Sequence, residues 1–214
     1  MDLKQIYEQT VAGNAPRVKE LTEQALAEGV APVEIVTQYL IPAMAEVGDR
    51  FERNEYYVPE LLIAARAMQG ALAILKPLLA SGELQAAGRV AIGTVKGDLH
   101  DIGKNLVSMM LQGAGFEIVD LGVDVPPDQF VQVVKEGEVQ ILALSALLTT
   151  TMPAMKVTLD ALQAAGLRDS VKVLIGGAPV TQRYAEEIGA DGYAPDANSA
   201  VRKARELLAT AQTG

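Results

Sequence analysis

Hydrophobic residues along roughly the first 80 positions recur with the period of helices. Leu3, Ile6, Tyr7 and Val11 fall on one helical face, and Val18, Leu21, Ala25 and Leu26 repeat the spacing. Gly13-Asn14-Ala15-Pro16 separates these two helices, and Gly29 with Pro32 separates the second from a third. The third runs from about Pro32 to Arg53 with Pro42 inside it. Proline lacks the N–H that a helix interior needs, so a kink or break is expected near Ile41. A fourth helix covers about Val58 to Leu79, carrying Leu61, Leu62, Ala65, Met68, Leu72 and Leu75. Four amphipathic helices on short links predict a small antiparallel bundle.

From Arg89 the pattern changes to short apolar runs alternating with helical ones. Val90–Val95, Phe116–Asp120, Ile141–Ser145, Val171–Ile175 and a short run at Asp191–Tyr193 have the continuous apolar character of buried parallel strands. Helical patterns fill the gaps, at about 102–114, 127–136, 152–165, 179–188 and 197–211. This alternation predicts an α/β fold, a doubly wound five-stranded parallel sheet of flavodoxin-like or Rossmann-like type. The linker falls in 81–88, giving a helical domain over 1–84 and an α/β domain over 89–214. Ligands of such sheets sit outside the carboxyl ends of the strands. Lys96–Gly103, Ala146–Thr151, Gly176–Pro179 and Ala194–Asp196 are therefore the segments of interest.

Composition narrows the chemistry. Of the 214 residues 50% are hydrophobic and only 4% aromatic, so the core must be aliphatic. A net charge of −9, with no long Lys/Arg cluster, argues against nucleic acid as a partner. No uninterrupted apolar run reaches the ~18 residues of a membrane span. Met1-Asp2-Leu3-Lys4-Gln5 lacks the basic start and apolar stretch of a secretion signal, so a cytoplasmic location is expected. With no cysteine, disulfides, thiolate zinc sites and Cys-held clusters are excluded.

The single histidine, His100, lies in Gly97-Asp98-Leu99-His100-Asp101-Ile102-Gly103. One histidine without cysteine is a poor site for a bare metal ion, which takes three or four protein ligands. A metal already held in a macrocycle needs only one or two. Asp98 is placed to accept the second ring N–H of His100 and fix its tautomer, and Gly103 lets a bulky group approach the backbone. The residues alone equally allow a loop histidine near a helix N-terminus.

Gly97-Asp98-Leu99-His100-Asp101-Ile102-Gly103-Lys104-Asn105 resembles the Asp-x-His-x-x-Gly signature of cobalamin-binding domains. Leu144-Ser145-Ala146-Leu147-Leu148-Thr149 and Gly176-Gly177-Ala178 follow in matching order. Together they are similar to the cobalamin domain of methionine synthase and to corrinoid proteins of methyltransferase systems. Val47-Gly48-Asp49-Arg50-Phe51-Glu52 and Tyr57-Val58-Pro59-Glu60-Leu61 resemble that family's helical cap. The resemblance covers nearly the whole chain.

It implies a cobalamin (corrinoid) cofactor with His100 as lower axial ligand to cobalt, Asp98 as its hydrogen-bonded partner and Thr151 continuing the relay where relatives place Ser. Asp101, Ile102 and Gly103 complete that loop. The nucleotide tail would lie in a slot lined by Ser145, Leu147 and Thr149, floored by Gly176, Gly177 and Ala178, and closed by Tyr193, Ala194, Asp196 and Ala197. For the double glycine the bland alternative is a strand-to-helix turn needing positive φ. Phe51, Tyr57 and Val58 match apolar residues that cover the upper cobalt face, against the alternative of ordinary bundle core.

The implied function is a non-catalytic methyl carrier for methanol, methylamine or methoxyaromatic metabolism. It would work between a donor-specific methyltransferase and an acceptor methyltransferase, with a reductive activator protein as a further partner. A cobalamin-dependent sensor and a mutase cobalamin-binding subunit are the rival roles. A sensor normally adds a DNA-binding element, and a mutase subunit generally lacks the helical cap pattern.

Overall fold

The computed structural model describes residues 2–79, 86–137 and 139–211. The chain divides into two compact units, the first ending at Ala86 and also taking in Gly113–Gly115, the second holding the remainder from Ala87 onward. The linker expected over 81–88 falls, for 81–85, outside the described residues.

In the first unit α1 (Lys4–Val11) is followed by α2 (Ala15–Ala27). The Asn14 side chain accepts a hydrogen bond from the Arg17 N–H, and Pro16 stands in the first turn, where a missing N–H costs nothing. The third helix does not break at Pro42. It starts as α3 (Pro32–Glu34), continues through π-helical turns over Ile35–Leu40, and resumes as α4 (Ile41–Glu52). Ile41 N–H bonds to the Val36 carbonyl, five residues back. This wider winding admits a proline that would otherwise crowd the Gln38 carbonyl. The expected kink is thus a change of winding.

Helix α5 (Val58–Leu75) begins where the Glu60 carboxylate accepts the Tyr57 N–H at 2.9 Å. Leu61, Ala64, Ala65, Ala67, Met68, Ala71 and Leu75 form its buried face. Helix α1 packs on α2 and α4, and α5 packs on the same two, closing a four-helix bundle. With the short turn that follows, α5 makes a 21-residue stretch, Val58–Leu78, long and apolar enough to cross a membrane. Reading only uninterrupted runs misses it, because Glu60, Arg66 and Lys76 punctuate it. Its buried face belongs to the core of the bundle.

The second unit alternates strand and helix as expected: β1 (Arg89–Thr94), α6 (Ile102–Gly113), β2 (Glu117–Asp120), α7 (Pro127–Lys135), β3 (Ile141–Ser145), α8 (Pro153–Ala164), β4 (Lys172–Gly176), α9 (Gln182–Ile188), β5 (Gly192–Ala194) and α10 (Ala197–Ala211). All pairings are parallel, in the order β2-β1-β3-β4-β5. This is the doubly wound flavodoxin-like order, with its switch point between β1 and β3. Helix α9 starts three residues later than the apolar pattern implies, because the Thr181 hydroxyl caps it by accepting the Tyr184 N–H.

Register decides where the site falls. Thr94 pairs with Ser145, Ser145 with Gly176 and Gly176 with Ala194, so four strand ends lie in one row. Beneath them Ala91, Leu142, Leu144, Val173 and Ile175 share a core cluster with Phe130 and Met155. Gly93 leaves room for Phe130, whose ring would lie 2.9 Å from any Cβ there. Phe130 is fully buried. Phe130→Ala should therefore cost about 3–5 kcal/mol, measured by urea unfolding of the apo-protein.

Candidate functional site

At the switch point the loop after β1 meets the loop after β3, and Asp98 joins them. Its side chain is fully buried and accepts four hydrogen bonds. Oδ1 takes the His100 N–H at 3.0 Å and is 2.7 Å from the His100 ring Nδ1. Oδ2 takes the Leu147 N–H at 2.8 Å and the Thr151 hydroxyl at 2.6 Å. Burial alone would push the Asp98 carboxyl up. The Thr151, Leu147 and His100 donors overcome it and hold the group well below the usual carboxylate range.

An ionised carboxylate can only accept, so the proton of the pair sits on Nδ1 of His100. Its Nε2 has no hydrogen-bond partner among the described residues. The ring is half-exposed, at 51%. The backbone is also held, since the Thr94 hydroxyl, buried at the end of β1, donates to the His100 carbonyl at 2.9 Å. A neutral imidazole with Nδ1 fixed by a carboxylate and Nε2 open is the usual arrangement of a metal-ligating histidine.

The carboxyl end of the sheet also exposes apolar side chains. Leu99, Val123, Leu147 and Leu148 on the carboxyl-end loops and Ile102 at the start of α6 are all exposed large side chains, Ile102 at 83%. Leu99 and Leu148 stand inside the two motifs without an expected role, and Val123 lies outside them; their common signal is an apolar residue in a loop. Gly103 has no positive φ, and a Cβ added to it would meet nothing within 4 Å. Neither conformation nor packing within the chain asks for glycine there, although a helix is better served by Ala. Both features leave room for a bulky group beside the start of α6. Among the described residues no three His, Cys, Asp or Glu side chains gather to hold a bare metal ion.

The remaining expected residues fall into distinct environments. Asp101 is exposed and accepts from the Asn105 side chain across the first turn of α6 at 3.0 Å. Lys104, buried beside it, spans Asn105 and both oxygens of Asp120 at 2.6–2.8 Å. Ser145 is half-buried, and Thr149 and Ala178 are exposed. Gly176 and Gly177 answer to the chain itself. A Cβ on Gly177 would lie 1.8 Å from the Ala146 carbonyl oxygen, with φ at +130°, and one on Gly176 would be 3.0 Å from the Ala194 oxygen. The double glycine thus lets two loops approach closely, a reason stronger than the turn alone.

Tyr193 is half-buried, whereas Ala194 and Ala197 are buried. Asp196 caps α10, accepting the Ser199 N–H at 2.8 Å and the Ser199 hydroxyl at 2.9 Å. In the helical unit Phe51 is half-buried, Tyr57 is 61% exposed and Val58 is 41% exposed. Ordinary bundle core therefore does not describe Tyr57 or Val58.

Residues 88–202 match a family described as B12 binding domain, and residues 2–76 match a second family of the same description. The dimethylamine corrinoid protein of Methanosarcina barkeri is 44% identical over 208 residues, 97% of each chain. Trimethylamine corrinoid protein 1 of Methanosarcina acetivorans is 46% identical over 191 residues, 88% of each. Among solved structures, the methanol:cobalamin methyltransferase complex of Methanosarcina barkeri matches with a TM-score of 0.86 at 28% identity, over 95% of this chain and 78% of that chain. Fold and site thus define a corrinoid-binding class. The chain belongs to the B12-binding corrinoid proteins, with cobalamin as the cofactor.

Asp98 offers a test of the site in the apo-protein. Because its carboxyl is depressed on folding, the stabilisation is present above the unfolded value of about pH 4 and is lost as pH falls toward the folded value. Asp98→Asn keeps one acceptor but sets an amide against two donors, which should cost about 2–4 kcal/mol at neutral pH. In urea unfolding, the gap to wild type should stay level from about pH 8 to about pH 5 and narrow below about pH 4.

Proposed function

We propose that this protein holds a corrinoid whose cobalt His100 Nε2 would ligate, and carries a methyl group between two methyltransferases. The methyl donor is a methylamine, taken from it by a donor-specific methyltransferase; an acceptor methyltransferase and a reductive activator protein complete the system. The observation that carries the reading is the Asp98–His100 pair, which takes the ring proton on Nδ1 and leaves Nε2 as an open imidazole nitrogen in an exposed setting. When bound, the corrinoid supplies the cobalt that bears the methyl group. The chain's own residues then bind, orient and shield.

Asp98 keeps the proton on Nδ1, and Thr151 and the Leu147 N–H keep Asp98 ionised. Any change in how strongly Nε2 is drawn on would be felt at Nδ1 and Asp98, which couples protonation of the pair to the metal. Asp101, Ile102 and Gly103 flank the ring. Ser145, Leu147, Thr149, Gly176, Gly177, Ala178, Tyr193, Ala194, Asp196 and Ala197 would line the slot for the nucleotide tail. The Ser145 hydroxyl makes no hydrogen bond among the described residues and is free for such a group. A methylamine donor is favoured over methanol because the methylamine relatives are 44–46% identical and the methanol one 28%.

Reconstituted wild type, in its cobalt(II) form, should show hyperfine coupling to one histidine nitrogen by electron paramagnetic resonance. His100→Ala should lose that coupling and bind corrinoid roughly 10- to 100-fold more weakly. Unchanged coupling would mean that another group is the ligand. With a methylamine-specific methyltransferase, its amine and a chemical reductant that takes the cobalt to the +1 state, the loaded wild type should become methylated, read from its visible spectrum. No change with mono-, di- or trimethylamine would remove the donor assignment.

A further inference from the structure

Outside the Asp98–His100–Thr151 relay, one acidic residue is bound to the histidine loop from a different element. Asp124 lies in the loop between β2 and α7, and that loop pairs with the end of β1. Thr94 N–H bonds to the Gly122 carbonyl at 2.9 Å, Val125 N–H to the Thr94 carbonyl at 3.0 Å, and Val95 bridges Val125 in parallel register. Beyond Val95 the β1 chain turns sharply. Asp98 N–H bonds back to the Val95 carbonyl at 3.1 Å, with Gly97 at φ +85°. This is a four-residue turn with a left-handed third residue, of the kind that leaves the third residue's N–H without a partner inside the turn.

Asp124 supplies that partner. Its Oδ1 accepts the Gly97 N–H at 2.8 Å, and its own N–H donates to the Asp98 carbonyl at 2.9 Å. To do both it adopts φ +53°, a left-handed conformation that Asp tolerates better than most side chains. Lys96 Nζ lies 3.0–3.1 Å from the same carboxylate, but more than half of that lysine side chain is in solvent, where such a pair contributes little. The two backbone bonds, one on each side of the Gly97–Asp98 peptide, are the structural content. The Gly97 N–H, followed by Lys96, also holds the Asp124 carboxyl below its ordinary value, so it is an acceptor at neutral pH.

We infer that Asp124 is a positioning residue for His100: it clamps the Gly97–Asp98 peptide from the neighbouring loop and thereby sets the Asp98 carboxylate that orients the imidazole. This inference rests on the proposed role of His100 for its consequence at cobalt, but the clamp itself is testable without corrinoid. Asp124→Asn keeps an acceptor oxygen and tolerates the left-handed backbone. Asp124→Gly keeps the backbone conformation and removes the acceptor, so it separates the clamp from simple strain; Asp124→Ala removes both.

In the apo-protein, hydrogen exchange followed by NMR should show the Gly97 amide protected in wild type and Asp124→Asn. In Asp124→Gly it should exchange at least roughly tenfold faster, with the His100 ring nitrogen shifts moving away from the single Nδ1–H tautomer. In corrinoid-loaded protein the same glycine variant should retain the cofactor but raise the ratio of histidine-off to histidine-on cobalt(II) by roughly tenfold, as for loss of an outer partner of a metal ligand. The asparagine variant should restore it. Wild-type protection and ring shifts in a folded Asp124→Gly would overturn the inference. If loaded wild type showed no histidine coupling at all, the role of His100 would fall instead, and the apo measurements would still decide the clamp.

Discussion

A carboxylate buried in its ionised form is the constraint around which the α/β unit is arranged. Asp98 has room for about four hydrogen bonds and makes all four, with donors drawn from two loops. Removing any donor leaves a lone pair unmet in a site without water access, so the loops after β1 and β3 cannot drift independently. The parallel register of Thr94, Ser145 and Gly176 puts those loops side by side. The sheet therefore supplies rigidity, Asp98 transmits it, and His100 presents it as one nitrogen in a fixed direction.

The rest of the α/β unit serves that end at differing distances. Lys104 ties the first turn of α6 to Asp120 at the end of β2, steadying the helix that begins two residues after the histidine. Gly177 allows the loop after β4 to approach Ala146 within what any side chain would forbid. In the helical unit, the π-helical turns before Pro42 keep a long helix continuous where a broken one would lose its buried face, including Ile35, Val36 and Leu40. These are packing solutions, and none of them requires a ligand.

Much of this was legible from the chain because parallel strands buried on both faces appear as uninterrupted apolar runs, and because Asp98, His100 and Gly103 are close in sequence. Their meaning does not depend on tertiary detail. Asp124 was not legible, since its partner Gly97 is 27 residues away and only the pairing of two loop backbones brings them together. Thr94 was hidden for the same reason, as a hydroxyl at a strand end has many uses. Asp196 and the double glycine were read toward a ligand, and the structure adds an internal duty to each: one caps α10, the others admit neighbouring backbone. The winding around Pro42 escaped because proline's local rule predicts disruption, while tertiary burial of both flanking segments favours continuity.

Gly103 and Gly177 look alike in sequence but stand under different physical constraints. At Gly177, any mutation that adds a side chain harms the empty protein and the loaded one together, so purifying pressure would act even on a chain that had lost its cofactor. At Gly103, the empty protein has nothing to lose and a better helix to gain from alanine. A lineage no longer supplied with corrinoid would be free to drift at position 103 while remaining fixed at 177. If Gly103 serves the corrinoid as proposed, the pair would distinguish a working carrier from a folded relic.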